Sequence, residues 1–183
     1  MATDALTNRL DIQMDGRSSA GESFQEPQLI YTHEISFGTG EGKCNEESCI
    51  PALTIPAEAA NFITLALFSG EILNAAGTPI GLIANSKGEQ IVFTNVRRLI
   101  IAIVSPTGIP LVVGNAASLK FQGPLSSSGT QTIPGYIGAL LLWENKSTAG
   151  YPVNGTATNL KLTNTELTPV VVSVYIAGEG TTS

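Results

Sequence analysis

Histidine, cysteine and aspartate are all scarce in this chain. Among 183 residues there are two cysteines and one tryptophan, His33 is the only histidine, and no aspartate follows Asp15. These shortages remove most hydrolytic machinery. A Ser–His–Asp arrangement would have to combine His33 with a glutamate, and no Gly-x-Ser-x-Gly elbow occurs. His33 lies in an alternating stretch, where it reads as a packed or surface strand residue rather than a base. A glycosidase pair would need two glutamates, and no pair stands out. A structural zinc needs four ligands, more than His33, Cys44 and Cys49 supply. Calcium loops rely on aspartate, and Asp4, Asp11 and Asp15 all precede Gly16. The Glu46-Glu47 pair inside the Cys loop is a weak calcium candidate and reads rather as a solvated turn. The expectation is a non-enzyme without cofactor or metal.

Charge is also thin, at 13% of residues against a usual ~25%. The net charge is −6, and the nine basic residues are scattered, Arg97-Arg98 being the one basic pair. No basic stripe exists to neutralise phosphates, so no nucleic-acid partner is expected. No basic amphipathic helix suggests a membrane surface. The apolar stretches Leu99 to Val104 and Ile137 to Trp143 fall far short of a membrane span. No basic segment followed by an apolar one opens the chain, so no signal peptide is read. A soluble protein is expected, made in a cytoplasm or lacking its leader here. Low charge in an apolar chain fits a surface partly covered by neighbours. The plainer reading is a Gly-rich β protein with a neutral surface.

The length suits one domain plus an arm. Residues 1–28 form the arm, which is polar and rich in Ser, Thr, Asp and Glu. Such a segment buries too little to offset its own ordering entropy. Its ordering would need contacts outside the domain, which points to a subunit of an assembly. Leu6, Leu10 and Met14 stand at helical spacing, with Thr3 or Asp4 as cap and Gly16 as stop. Leu10, Ile12 and Met14 alternate as in a strand instead. Either way Leu6, Leu10, Ile12 and Met14 are the candidate arm contacts.

Residues 29–183 read as all-β, a β-sandwich or jelly roll. Leu29 to Phe37 alternates, with Tyr31, His33, Ile35 and Phe37 on one face. Strands are expected at Gln90 to Thr94, Arg97 to Ser105, Leu111 to Gly114, Ser118 to Gln122, Ile137 to Asn145, Thr158 to Asn164 and Pro169 to Ala177. They are rich in β-branched residues, and Gly, Pro, Asn and Ser punctuate them roughly every ten residues, as in a sandwich. Pro56 to Phe68 admits a helix after proline or a strand from Phe62 to Phe68; the surrounding strands favour the latter. Asn154-Gly155 suits a type I′ turn. Gly123 to Gly129 is a Ser/Gly loop.

Cys44 and Cys49 enclose four residues. A disulfide there would contribute ~2 kcal/mol and suits a particle outside the cell; two free thiols are the alternative. Gly38 to Lys43 looks like a phosphate loop, but it is one residue short and Cys44 replaces Ser/Thr. It reads as a hairpin tip. Asn145-Lys-Ser147 and Asn154-Gly-Thr156 match the glycosylation sequon and read as chance in an Asn/Thr-rich chain.

The C-terminal half carries a resemblance. Arg98-Leu-Ile-Ile-Ala-Ile-Val104 leads into a Pro/Gly turn. Trp143-Glu-Asn is followed by Val153-Asn-Gly-Thr-Ala-Thr-Asn-Leu-Lys-Leu-Thr-Asn164, and then by Pro169-Val-Val-Val-Ser-Val-Tyr-Ile-Ala-Gly178. Over residues 90–180 this resembles the small β-sandwich virion proteins of tailed bacteriophages, the capsid decoration or cement class. The resemblance implies a structural protein of the virion, with no catalytic residues. It implies a homotrimer on the capsid lattice, terminal arms that clamp neighbours, and the major capsid protein or another virion protein as partner. The rival reading is a receptor- or carbohydrate-binding tail or spike module. Tyr136, Trp143 and Tyr151 are its candidate aromatic platform, although Trp143 at a strand end also suits the core.

Overall fold

The computed structural model describes residues 7–12, 31–36, 44–105, 108–121, 123–125, 129–145, 147 and 149–183. Every regular element among them is a strand. The first two, β1 (Thr7–Ile12) and β2 (Tyr31–Ser36), make a two-stranded antiparallel sheet of their own, with Leu10 opposite His33 and Ile12 opposite Tyr31. At Leu10 and Ile12 the strand alternative is therefore the one adopted. Leu6 and Met14 lie outside the described residues, as do the rest of the arm and the Gly38 to Lys43 tip.

The body is two antiparallel sheets around one core, consistent with a β-sandwich. The first sheet contains β3 (Glu46–Ile55), β7 (Ile91–Ser105), β10 (Leu140–Glu144) and β13 (Val170–Thr182) in the order β10-β7-β13-β3, with β11 (Tyr151–Pro152) also on β7. The second runs β6 (Pro79–Leu82), β5 (Glu71–Leu73), β4 (Ile63–Ala66), β12 (Asn159–Thr163), β8 (Leu111–Gly114), β9 (Thr130–Ile133). Alternation explains the layering, because successive strand residues point to opposite faces. Val170, Val172, Val174 and Ile176 of β13 face inward beside Leu99, Ile101 and Ile103 of β7. They meet Leu65, Leu111, Leu160 and Leu162 of the other sheet in a single buried cluster. Each such side chain, fully buried, contributes about 1.5–3 kcal/mol.

Several expectations are corrected. The two strands foreseen at Gln90 to Thr94 and Arg97 to Ser105 are one, β7, whose pairing with β13 slips beside Gly178 and again beside Gly180. These slips are bulges, which absorb extra residues without ending a strand. Gly178 permits the first, since a Cβ there would collide with the Asn95 carbonyl. The described part of Ser118 to Gln122, residues 118–121, forms no strand: Leu119 takes a positive φ of 49° and only a bridge from Lys120 to Asn159 remains there. In Pro56 to Phe68, by contrast, the favoured strand is the alternative adopted, shortened to Ile63–Ala66. The Asn154-Gly155 turn is present but not as type I′, because neither residue has positive φ. The Asn154 side chain closes it instead, its Oδ1 accepting from the Thr156 backbone N at 3.0 Å and from Thr156 Oγ1 at 2.8 Å.

Candidate functional site

Residues of the five-stranded sheet that do not face the core form its outward side, and the strand register sorts them into rows. Glu144, Arg98, Ala177 and Glu47 lie side by side; next come Leu142, Ile100, Tyr175 and Cys49; then Leu140, Ala102 and Ser173; then Ser105, Val171 and Thr54. The first row is a polar belt and the others are mostly apolar.

The belt is self-neutralising. Arg98 Nη2 donates to Glu144 Oε1 at 3.0 Å, and Arg97 Nη2 donates to Glu179 Oε1 at 2.9 Å and through Nη1 to the Ser147 carbonyl. Asn95 Nδ2 donates to the second Glu179 oxygen at 2.8 Å. Tyr175 OH donates to Glu47 at 2.8 Å, and Tyr151 OH to the Glu144 carbonyl at 2.9 Å. Arg98 is 2% exposed and Arg97 4%. Buried guanidiniums persist only when paired and hydrogen-bonded, so these contacts fix the bulged stretch of β7. They leave the belt little capacity to hold a ligand anion.

Cys44 is fully buried against Ala177, with Tyr175 packed beside it, whereas Cys49 is exposed and both thiols are free. Asn45 bonds Gly178 and Gly180, and Glu46 onward is extended strand. A disulfide needs Cα atoms about 4.4–6.8 Å apart, while five extended steps cover roughly 16 Å. The fold thus holds two separate thiols and does not bring the expected staple together. Burial pushes the Cys44 thiol up to about 11, Arg97 and Arg98 only partly opposing it. It is protonated and inert near neutrality.

The aromatic platform is not assembled. Trp143 belongs to the core, its Nε1 donating to Gln131 Oε1 at 2.9 Å. Tyr151 packs edge-on against Phe121 with ring centroids 6.4 Å apart. Tyr136 alone of the three is well exposed, at 69%. His33 sits in β2 opposite Leu10. Among the described residues no cluster of three or more His, Cys, Asp or Glu side chains is placed to hold a metal ion.

The apolar rows are the remaining feature. Leu140 is 50% exposed, and Ile137 of the turn before it 62%; Ile100, Ala102, Leu142, Val171 and Tyr175 are half-buried. Sequence reasoning placed Ile100 and Leu142 in strands but did not divide them by face. The paired arginines were missed as buried groups, although a basic pair inside an apolar run was the available signal. No family model, no curated protein and no solved structure matches this chain.

Proposed function

We propose that this chain is a non-enzymatic structural protein of a virion, of the capsid decoration or cement kind. It acts as a homo-oligomer, a trimer in this reading, against the major capsid protein or another virion protein. The apolar outward side of the five-stranded sheet carries the proposal. Contiguous exposed apolar surface beyond a few hundred Å² on a soluble protein marks a place for a partner, and the belt beside it is already neutralised by its own ion pairs. The mechanism is mechanical. Stable interfaces of this kind commonly bury more than ~2,000 Å², and contacts made only in the assembled state stabilise it by mass action. In this reading the sandwich has jelly-roll form and residues 1–28 are an arm that clamps a neighbour.

The test is the protein content of particles banded on a density gradient. The proposal expects the chain at a fixed copy number relative to the major shell protein, and its absence from intact particles refutes it. The carbohydrate-binding alternative draws little support from the geometry. A shallow groove on the other sheet, lined by Phe62, Asn74, Ser118, Asn159 and Lys161, has a cavity volume of about 160 Å³, below the ~300–1,000 Å³ usual for ligand pockets. Lys161 Nζ already covers the Phe62 ring at 4.1 Å. Glycan-array binding above background would revive it.

A further inference from the structure

We infer that the Asn154-Gly155 tip is a self-modification site, where the Asn154 side-chain amide is converted through a cyclic imide to aspartate and isoaspartate. The inference is independent of the virion reading above. Of the chain's eleven asparagines, only Asn154 precedes a glycine. Asn154, Gly155 and Thr156 are all exposed, so water reaches each of them.

The nucleophile is the Gly155 backbone nitrogen, which has no Cβ beside it and is open to close approach. Among the described residues its N–H has no hydrogen-bond acceptor, and neither has Asn154 Nδ2, the group that leaves. The electrophile is Asn154 Cγ. Its Oδ1 accepts from the Thr156 N–H at 3.0 Å and from Thr156 Oγ1 at 2.8 Å. Both donors aim at the oxygen on which negative charge develops as the nitrogen attacks, and fixed donors of that kind stabilise an oxyanion. Hydroxide takes the Gly155 N–H proton, the nitrogen bonds to Cγ, and the Cγ–Nδ2 bond breaks. Nδ2 departs as ammonia with a proton from water. Water then opens the imide, at Cγ to give aspartate or at the main-chain carbonyl of residue 154 to give isoaspartate. Water is the one co-reactant.

Other asparagines lack part of this set. Asn45, Asn85, Asn145 and Asn164 each donate from Nδ2 to an acceptor, at 2.8, 2.8, 2.9 and 2.7 Å, which holds the leaving group in place. Asn74 is the internal control. Its Oδ1 accepts from the Ala76 and Thr78 N–H groups at 3.0 and 2.9 Å, but Ala75 follows it. The site also has a structural consequence. The Val153 N–H donates to the Thr94 carbonyl of β7, and the Leu67 N–H beside β4 donates to the Thr158 carbonyl, both at 2.9 Å. Asn154 therefore lies where the chain crosses from one sheet to the other. Isoaspartate adds a methylene to that crossing and moves the carbonyl that accepts from the Ala157 N–H at 2.9 Å.

Peptide mapping of the full chain, fresh and after ageing in mildly alkaline buffer, tests this. The expected result is acid at residue 154 ahead of every other asparagine, with isoaspartate, identified by electron-transfer fragmentation, beside aspartate. Gly155→Ala should slow the conversion to the level of Asn74. A Cβ at Gly155 meets nothing within 4 Å, so that variant keeps the fold. Thr156→Val removes the hydroxyl donor and should slow the folded chain several-fold, while leaving the rate in concentrated urea unchanged. Asn154 still intact when Asn74 has reacted overturns the inference, as does aspartate at residue 154 without isoaspartate. A Gly155→Ala chain that ages at the wild-type rate overturns it too. Equal rates for folded Thr156→Val and folded wild type would overturn the role given to Thr156.

Discussion

The two sheets of this sandwich share one core but turn different sides to the outside. On the six-stranded sheet the outward rows read Thr132, Val112, Thr163; then Lys161, Thr64, Leu73; then Asn159, Ala66, Glu71, Leu82. Hydroxyls, an amide and charges alternate there with small or aliphatic groups, and the well-exposed large apolar residues of its strands, Ile80 and Leu82, sit on the edge strand β6. The outward rows of the five-stranded sheet carry Ile100, Ala102 and Val171 on the inner strands β7 and β13, and Leu140 and Leu142 on the edge strand β10. An antiparallel sheet normally keeps one face solvated and alternates accordingly. The six-stranded sheet is nearer that rule in composition, although Thr64, Ala66 and Thr163 are buried; in the function proposed above, the more apolar side of the five-stranded sheet is the one that meets a partner.

That contrast can be broken within a single strand. Ile101 faces the core and Ile100 faces out. Ile101→Ala should cost about 4 kcal/mol, as expected for a cavity in a packed core, and Ile100→Ala less than ~1 kcal/mol in the isolated chain. Equal costs by denaturant titration would mean that both sides of the sheet are interior. Glu144→Ala comes next, at about 2 kcal/mol, because it takes from the buried Arg98 a carboxylate at 3.0 Å. Glu144→Gln should recover part of that loss through the remaining hydrogen bond. A cost below ~0.5 kcal/mol for Glu144→Ala would show that the belt is dispensable to the fold.

The pH dependence sharpens the belt further. The folded state holds the Cys44 proton more tightly than the unfolded chain, with the value raised from 9.0 to about 11. The resulting stabilisation is complete below pH ~9 and is lost as pH rises through ~11, amounting to about 3 kcal/mol. Unfolding curves at pH 8 and pH 11 should show the loss in the wild type and a smaller one in Cys44→Ala. Equal losses would mean that Cys44 is not buried as a thiol. The smallest effect is expected on the solvated side of the other sheet, where Thr132→Ala should change stability by no more than about 0.5 kcal/mol. A larger change would show that this face is not simply solvated.

The C-terminal half of the fold was legible because local signals agree there. Val170 to Val174 is β-branched at nearly every position, and β8, β10 and β12 stand between clear turns. The long strand β3 was hidden. Glu46, Cys49 and Pro51 argue against a strand locally, yet pairing with β13 along most of its length overrides them. Pro51 is tolerated because β3 is an edge strand and its register slips there, between Ile50 and Leu53. The short strands β5, β6 and β9 carry too few residues for a periodic signal. In the outward site, Arg97 and Arg98 were visible as a pair, but their carboxylates, Glu179 and Glu144, stand 82 and 46 residues away. Only the fold brings them together. Likewise no local pattern tells which side of β7 faces the second sheet, because bulges shift the alternation twice beside Gly178 and Gly180.

Hydroxyl-radical footprinting of side chains reads the central contrast most directly, comparing the chain diluted until dissociated with the same chain assembled. The account predicts that oxidation of Leu140, Ile137 and Tyr136 falls at least several-fold on assembly, while that of Ile80 and Leu82 stays the same. Protection of Ile80 and Leu82 with Leu140 still fully reactive would contradict it, since the partner would then lie on the other sheet.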